Sequence, residues 1–395
     1  MRAPLLALAV LLAVGLLADV YIYVQSRRRC ADRRWSRLAL WTTVALVVLM
    51  TVAMSLPARI GSETTLSLKM WTLFAWLSVY ASKYLGVAVD LIASLPRLFR
   101  KPRLRWLTKS GIALAALLFA AMWWGALINR FRIDVRTVEV PVENLPEAFD
   151  GFTIAQFSDL HTGTFGTDTT FVADIVDRIN SLHADVIVFT GDIVNRRSDE
   201  MRPFISTLSR LDAPMGVYAI LGNHDYGDYL DWPSPAHKEA NMKMLRSQFR
   251  RTPMRLLLNE TQWLRRGNDS IALIGVENIG DPPFSIYGSL AKAYPTLDDA
   301  NTKILLTHNP QHWVDSIAAN PQTNVALTLS GHTHAMQIEL AGVSPAAWRY
   351  ATWGGLYPDA SGRRFLYVNI GAGTVGIPMR LGATPEITLI TLRSR

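Results

Sequence analysis

Apolar positions in the first 128 residues run together in four long stretches, 4–24, 38–56, 70–95 and 111–128. The first carries one charge, Asp19, and the third carries Lys83 and Asp90; the second and fourth carry none. Roughly 20 helical residues, at about 1.5 Å rise each, cross a hydrocarbon core of about 30 Å. The pattern predicts four transmembrane helices in a region spanning 1–128. A buried helical bundle is the other reading, but short basic or polar loops between four such lengths argue against it. A cleaved signal peptide at the first stretch would lack a strong basic start and a clear small-residue cleavage site. From Asn129 onward the pattern changes to strand-length apolar runs alternating with amphipathic segments. Strands are expected at 152–157, 185–190 and 217–221, with helices at 169–182 and around 201–211. Strand–helix–strand repetition predicts a parallel sheet with crossover helices. Further strands at 271–276, 303–307, 324–329 and 365–369, with few helices between them, suggest a second, more antiparallel half. Residues 341–364, rich in Gly and aromatics, read as a loop or lid. Residues 129–395 thus form an α/β domain.

Charge refines this picture. The net charge is +8, yet residues 27–37 hold six Arg and residues 97–109 hold six Lys or Arg, and the rest of the chain is slightly acidic. Basicity confined to two short loops does not make a nucleic-acid footprint, so no nucleic-acid partner is expected. Both basic loops belong in the cytoplasm by the positive-inside rule. Four crossings then put the amino terminus and everything after Ile128 outside it, with membrane lipid as the partner of the helices. Counted from the outer helix ends, Asp19 lies 15 residues deep and Lys83 lies 13, a difference of about 3 Å at helical rise. A structural Asp19–Lys83 pair or simple snorkelling both fit that depth. The single cysteine, Cys30, excludes a disulfide scaffold and multi-cysteine metal sites, and reads as an idle thiol.

Candidate chemistry sits just after the expected strands: Asp159-Leu-His161, Gly191-Asp192, Gly222-Asn223-His224-Asp225, Thr307-His308-Asn309 and Gly331-His332-Thr333-His334. Five of the eight histidines fall in these motifs, whereas His183, His237 and His312 fall outside and read as packing or surface residues. Ligands of open α/β sheets collect beyond the carboxyl ends of strands. Residues two apart on extended chain share a side, so Asp159 with His161, and His332 with His334, can reach one cation. Imidazole, carboxylate and amide oxygen suit Mn, Fe or Zn, and glycines before Asp192, Asn223 and His332 permit close backbone approach.

This motif set resembles that of the calcineurin-like metallophosphoesterase superfamily, over residues 151–392. The resemblance implies a four-layer α/β/β/α sandwich and two divalent metal ions. Asp159, His161, Asp192 and His334 would hold the first ion, and Asp192, Asn223, His308 and His332 the second. His224 would be the non-ligand histidine beside the leaving group and Asp225 its orienter. Hydroxide formed between the ions would attack phosphorus. The stretches around Asn223–Gly227 and 366–387 look like a membrane-anchored bacterial branch that includes UDP-diacylglucosamine pyrophosphatases. That implies an inner-membrane protein, its site extracytoplasmic by the charge rule above, cleaving a phosphodiester or pyrophosphate bond in a lipid-linked or cell-envelope substrate. A non-catalytic metal-binding scaffold is the competing reading, and the oligomeric state is open. Many relatives follow G-H-T-H with Gly-Gly-Gln, but this chain has Ala335-Met336-Gln337, which bears on substrate shape. Trp348, Tyr350, Trp353 and Tyr357 in the long loop either pack on the second sheet or form a lip for an apolar substrate part.

Overall fold

The computed structural model describes residues 2–29, 32–56, 62–281 and 285–395; Cys30 lies outside them, as do residues 57–61 between the second and third apolar stretches. Two compact units emerge, one made of Met1–Leu127 with Gly376–Pro378, the other of Ile128–Val375 with Met379–Arg395.

The first unit holds four helices: α1 (Arg2–Arg29), α2 (Arg34–Ser55), α3 (Glu63–Ser94) and α4 (Arg105–Leu127). Each outruns its apolar stretch, because polar ends add turns beyond the hydrocarbon-length core. Among the described residues, three segments are long and apolar enough to cross a membrane: Arg34–Ser55, Glu63–Phe99 and Arg105–Phe131. α1 is 28 residues long, about 42 Å at helical rise, and the side chains of 2–9, 11 and 12 lie outside the described residues. α3 is the central helix, with α1, α2 and α4 all packed on it. Large apolar side chains such as Leu17, Trp41 and Leu117 point outward, as lipid-facing positions do. The Asp19–Lys83 pair is formed: Lys83 Nζ donates to Asp19 Oδ1 at 2.6 Å and Tyr80 donates its hydroxyl to Oδ2 at 2.6 Å.

The second unit is two six-stranded sheets. The first runs β1-β12-β2-β3-β4-β5, built from β1 (Asp134–Val142), β2 (Thr153–Phe157), β3 (Val186–Phe189), β4 (Val217–Ala219), β5 (Met254–Leu256) and β12 (Glu386–Ser394). The second runs β10-β11-β9-β8-β7-β6, from β6 (Glu260–Arg266), β7 (Asp269–Gly275), β8 (Lys303–Leu306), β9 (Leu327–Ser330), β10 (Gly355–Pro358) and β11 (Phe365–Val368). Successive strand residues face opposite ways. Ile154, Val186 and Val188 enter the core between the sheets, where Leu273, Leu306 and Leu329 meet them. Their neighbours Ala155, Ile187 and Phe189 turn outward onto α5 (Thr170–Asn180), through Ile175 and Ile179. On the far side, Ile274, Leu305 and Val368 pack on Trp313 and Ile317. The layers are those of an α/β/β/α sandwich.

Three expectations change. The second sheet is not mainly antiparallel: β7-β8, β8-β9 and β9-β11 are parallel, and antiparallel pairs occur only at its edges. Its crossovers contain short helical turns, so they lack the amphipathic period that marks a crossover in sequence. The helix expected around 201–211 is one α turn, α6 (Ile205–Leu208), after 3-10 turns, because Pro203 cannot sit inside a longer one. Residues 341–364 are not all loop: Pro345–Trp348 forms a 3-10 turn and β10 pairs with β11.

Candidate metal centre

The five motifs follow the carboxyl ends of β2, β3, β4, β8 and β9, and their loops converge. Gln156 ties the two sheets there, donating to Thr190 Oγ1 and to the Ser330 carbonyl. Extended alternation is not what aims the side chains. Asp159, His161, Asp192, His332 and His334 all take φ between 48° and 77°, the sparsely populated left-handed region in which strain collects at functional sites. Each kink turns a residue off its strand direction into the shared pocket. Glycines allow the crowding: a Cβ on Gly222 would stand 2.2 Å from Asp192 Oδ1, and one on Gly331 would stand 2.3 Å from Asp159 Oδ2. Ala335 and Met336 also have positive φ, at 51° and 45°, where Gly-Gly would be unstrained.

Seven candidate ligands meet in two groups that share Asp192. In one, His334 Nε2 is 3.2 Å from Asp159 Oδ1 and 3.0 Å from His161 Nε2, with His161 Nε2 3.7 Å from Asp192 Oδ2. In the other, His308 Nε2 is 3.2 Å from Asp192 Oδ2 and 3.0 Å from Asn223 Oδ1. His332 Nδ1 completes it, 2.9 Å from Asn223 Oδ1 and 3.2 Å from His308 Nε2. Asp159, His161 and His308 are fully buried.

Burial pushes His161 well below the ordinary imidazole range, with His224 adding to it, and takes His332 down to about 3, with His308 adding. His334 is lowered by the same burial. Burial opposes charge on Asp159 and Asp192 too, but the facing histidines outweigh it and hold both carboxyls below their usual range. His308 is pushed up to about 9, because Asp192 outweighs its burial. The neutral imidazoles of His161, His332 and His334 beside ionised carboxylates are in their metal-binding protonation states, and His308 would give up its proton to a cation. Two imidazole nitrogens in contact share at most one proton, and His161 Nδ1 is buried without a partner. The donor set therefore fits divalent cations.

His224 stands beside these groups, its ring stacked on Tyr229 at 4.3 Å. Its Nδ1 lies 2.6 Å from the Asn195 carbonyl. A carbonyl only accepts, so Nδ1 carries the hydrogen and Nε2 is the free position. Asp225 does not orient this ring. Its carboxylate is spent on the backbone N–H groups of Asp192, Ile193, Val194 and Gly222, at 2.9–3.2 Å. Burial, with Asp192 adding, pushes it up to about 7. Asp225 therefore shapes the turn that presents Asp192, and the Asn195 carbonyl is the orienter.

Three residues at the site escape sequence reading. Besides Asn195, Tyr350 places its hydroxyl 2.9 Å from His332 Nε2, a contact that neither the packing nor the lip reading contains. Arg380, fully buried, donates to the carbonyls of Gly373, Ala383 and Ile370, and Nη2 lies 3.1 Å from His334 Nδ1. Burial takes Arg380 down to about 10, which leaves it charged at neutral pH. Outside the motifs, His312 is buried against Thr307 Oγ1, at 3.0 Å, and His237 lies on the surface beside Ser234.

Comparison with known proteins agrees with this geometry. Residues 152–336 match a family model described as calcineurin-like phosphoesterase, and residues 1–130 match one described as probable calcineurin-like phosphoesterase, transmembrane domain. The uncharacterized metallophosphoesterase YkuE of Bacillus subtilis is 33% identical over 270 residues, covering 66% of this chain and 86% of that protein. A bovine transmembrane protein with metallophosphoesterase domain is 31% identical over 315 residues, covering 78% of this chain and 66% of its own length. Its zebrafish namesake is 29% identical, covering 71% and 62%. The chain thus spans about two thirds of these vertebrate relatives.

Proposed function

Because the chain belongs to the calcineurin-like metallophosphoesterase family, as a metal-dependent phosphoester hydrolase with an N-terminal transmembrane domain, we propose that it cleaves a phosphodiester or pyrophosphate bond in a lipid or cell-envelope substrate. In this reading Asp159, His161, Asp192 and His334 would hold one divalent ion, and Asp192, Asn223, His308 and His332 the other. The observation that carries the assignment is the packing of four imidazoles and two carboxylates with their ligand atoms about 3–4 Å apart. Nitrogen and oxygen donors without thiolate suit Mn, Fe or Zn. Such ions supply a water acidic enough to ionise near neutral pH and positive charge for the phosphoryl oxygens.

The chain's own contribution is orientation and a proton. Asn195 holds the Nδ1 hydrogen of His224, and Tyr229 fixes the ring plane. A proton on Nε2 then faces the pocket and can pass to the departing oxygen. Tyr350 and Arg380 steady His332 and His334 from behind.

Support for a lipid-bearing substrate comes from the segment after His334. Met336, Leu340, Val343 and Trp348 are all exposed there, Trp348 to 90%. A cluster of exposed apolar side chains marks an interaction surface, and acyl chains fit it. The basic loops at 27–37 and 97–109 favour an inner-membrane orientation with the hydrolase unit outside the cytoplasm. A carboxy-terminal reporter active only outside the cytoplasm reads that directly.

The decisive test uses the full chain in neutral detergent with Mn, Fe or Zn, assayed on an aryl phosphodiester and on lipid-linked phosphodiesters and pyrophosphates. His224→Ala is expected to keep about two metals per chain while turnover falls on the order of 10²–10⁴-fold. Unchanged turnover removes His224 from the reaction. Leu340→Ser with Trp348→Ser is expected to impair only lipid-linked substrates, and equal impairment of the aryl diester defeats the lipid reading.

A further inference from the structure

Within the helical unit, α1 and α4 flank α3 and leave a cleft of about 580 Å³, inside the usual range of small-ligand sites, about 300–1,000 Å³. Its floor is small, through Gly86, Ala115 and Ala116, and its walls are graded. Gln25, Ser26 and Arg29 line one end, Val79 and Phe119 line the other, and Ile112 lies between them one turn from Thr108. From Thr108 to Phe119 the α4 wall runs roughly 16 Å at helical rise.

The polar end is a charge cluster with an imbalance. Asp90 accepts from Arg29 through both terminal nitrogens, at 3.0 and 2.8 Å, from Arg103 Nη2 at 2.6 Å, and from the hydroxyls of Tyr21 and Thr108. One carboxylate thus faces two guanidinium groups, and one positive charge stays uncompensated. The Asp19–Lys83 pair deeper in the unit is neutral and changes nothing in that count. Arg103 Nε is buried and has no hydrogen-bond partner, so a donor as well as a charge remains unmatched. The side chains of Arg103 and Arg29 are 11% and 29% exposed, and charge at the edge of a low-dielectric medium favours a counter-charge. Basic pockets between transmembrane helices meet that need with anionic headgroups.

We propose that this cleft binds one anionic phospholipid, its phosphate at the Arg29 end, where Arg103 stands behind Asp90, and an acyl chain along Val79, Ile112 and Phe119. The headgroup supplies the missing negative charge, and the chain fills an apolar slot that water would leave unsatisfied. A zwitterionic lipid brings its own cation to the arginines and matches the cluster less well. Inorganic phosphate has the charge but nothing for the apolar slot.

The test is thermal unfolding of the full chain in neutral detergent with phosphatidylglycerol, phosphatidylcholine or inorganic phosphate added. Ligand binding to the folded state raises Tm. Phosphatidylglycerol is expected to raise it by about 4 °C or more, with the other two well under half of that. Ala116→Trp fills the cleft without touching a charge and is expected to abolish the phosphatidylglycerol shift. Arg29→Gln with Arg103→Gln is expected to weaken phosphatidylglycerol at least tenfold. Equal shifts from phosphatidylcholine or phosphate, or a full phosphatidylglycerol shift in Ala116→Trp, overturn the proposal. If either variant fails to fold, the contrast between the lipids on the unaltered chain decides alone.

Discussion

Both units bury aspartates, and they satisfy them in opposite ways. In the helical unit Asp19 meets an ammonium and a phenol, and Asp90 meets two guanidiniums and two hydroxyls. All these partners are donors, so each carboxylate is satisfied by the protein itself. In the α/β unit Asp159 and Asp192 face imidazoles that face one another, with nitrogens 3.0 and 3.2 Å apart. The difference separates a charge that holds helices together from one arranged for something the chain does not contain. Residue type alone does not make that distinction; the chemistry of the partners does.

The largest effect that would break this comparison lies at the shared carboxylate. Asp192→Asn is expected to bring metal content below two per chain and to cut turnover about 10³-fold, some 4 kcal/mol. Chelation should lower the melting temperature of the unaltered protein more than that of the variant, since only the former has both ions to lose. Retention of two ions by Asp192→Asn would show that the carboxylate needs no cation. Next in size is the helical unit. Lys83→Met leaves Asp19 buried without its ammonium and is expected to cost about 3 kcal/mol, as loss of one partner of a buried pair does. Asp19→Asn combined with Lys83→Met should recover part of that loss in chemical unfolding, whereas additive losses would mean that the pair is only two snorkelling groups.

The same contrast explains what could be read along the chain. The four apolar stretches and the five motifs were legible because each signal is local: a run of given length, or a buried strand followed at once by His, Asp or Asn. Asn195, Tyr350 and Arg380 were not, because their histidines lie 29, 18 and 46 residues away and nothing local marks them. Asp225 was misread for the converse reason, adjacency in sequence standing in for adjacency in space. β6 was missed because an edge strand buries little: of its seven residues only Leu264 is fully inside, so its pattern is that of a surface segment. Asp90 stands out as a charge within the third apolar stretch, but its two arginines come from the end of α1 and from the connection before α4, and nothing local pairs them with it.

His312 carries the comparison into the α/β unit, as a buried histidine whose needs are met without a cation. It sits against Thr307 Oγ1, at the foot of the motif loop that carries His308 but in neither candidate ligand group, and burial takes it down to about 4 from the ordinary 6.5. The folded-state value lies below the unfolded one, so its contribution to stability is complete above pH 6.5. It is lost as pH falls toward 4, where the unfolded chain binds a proton that the folded chain refuses. Between pH 8 and pH 5 the loss amounts to about 2 kcal/mol, from a 2.5-unit difference of which about one unit lies below pH 5. His312→Gln keeps a polar group near Thr307 but cannot titrate, and its stability should be about 2 kcal/mol less sensitive over that interval. The measurement is denaturant unfolding of the full chain at both pH values, in chelator, so that loss of metal in acid does not enter. Identical pH sensitivity in variant and parent would mean that His312 takes up its proton in the folded protein as readily as in the unfolded chain, and the contrast between self-satisfied and metal-awaiting histidines would fail at the residue where it is easiest to check.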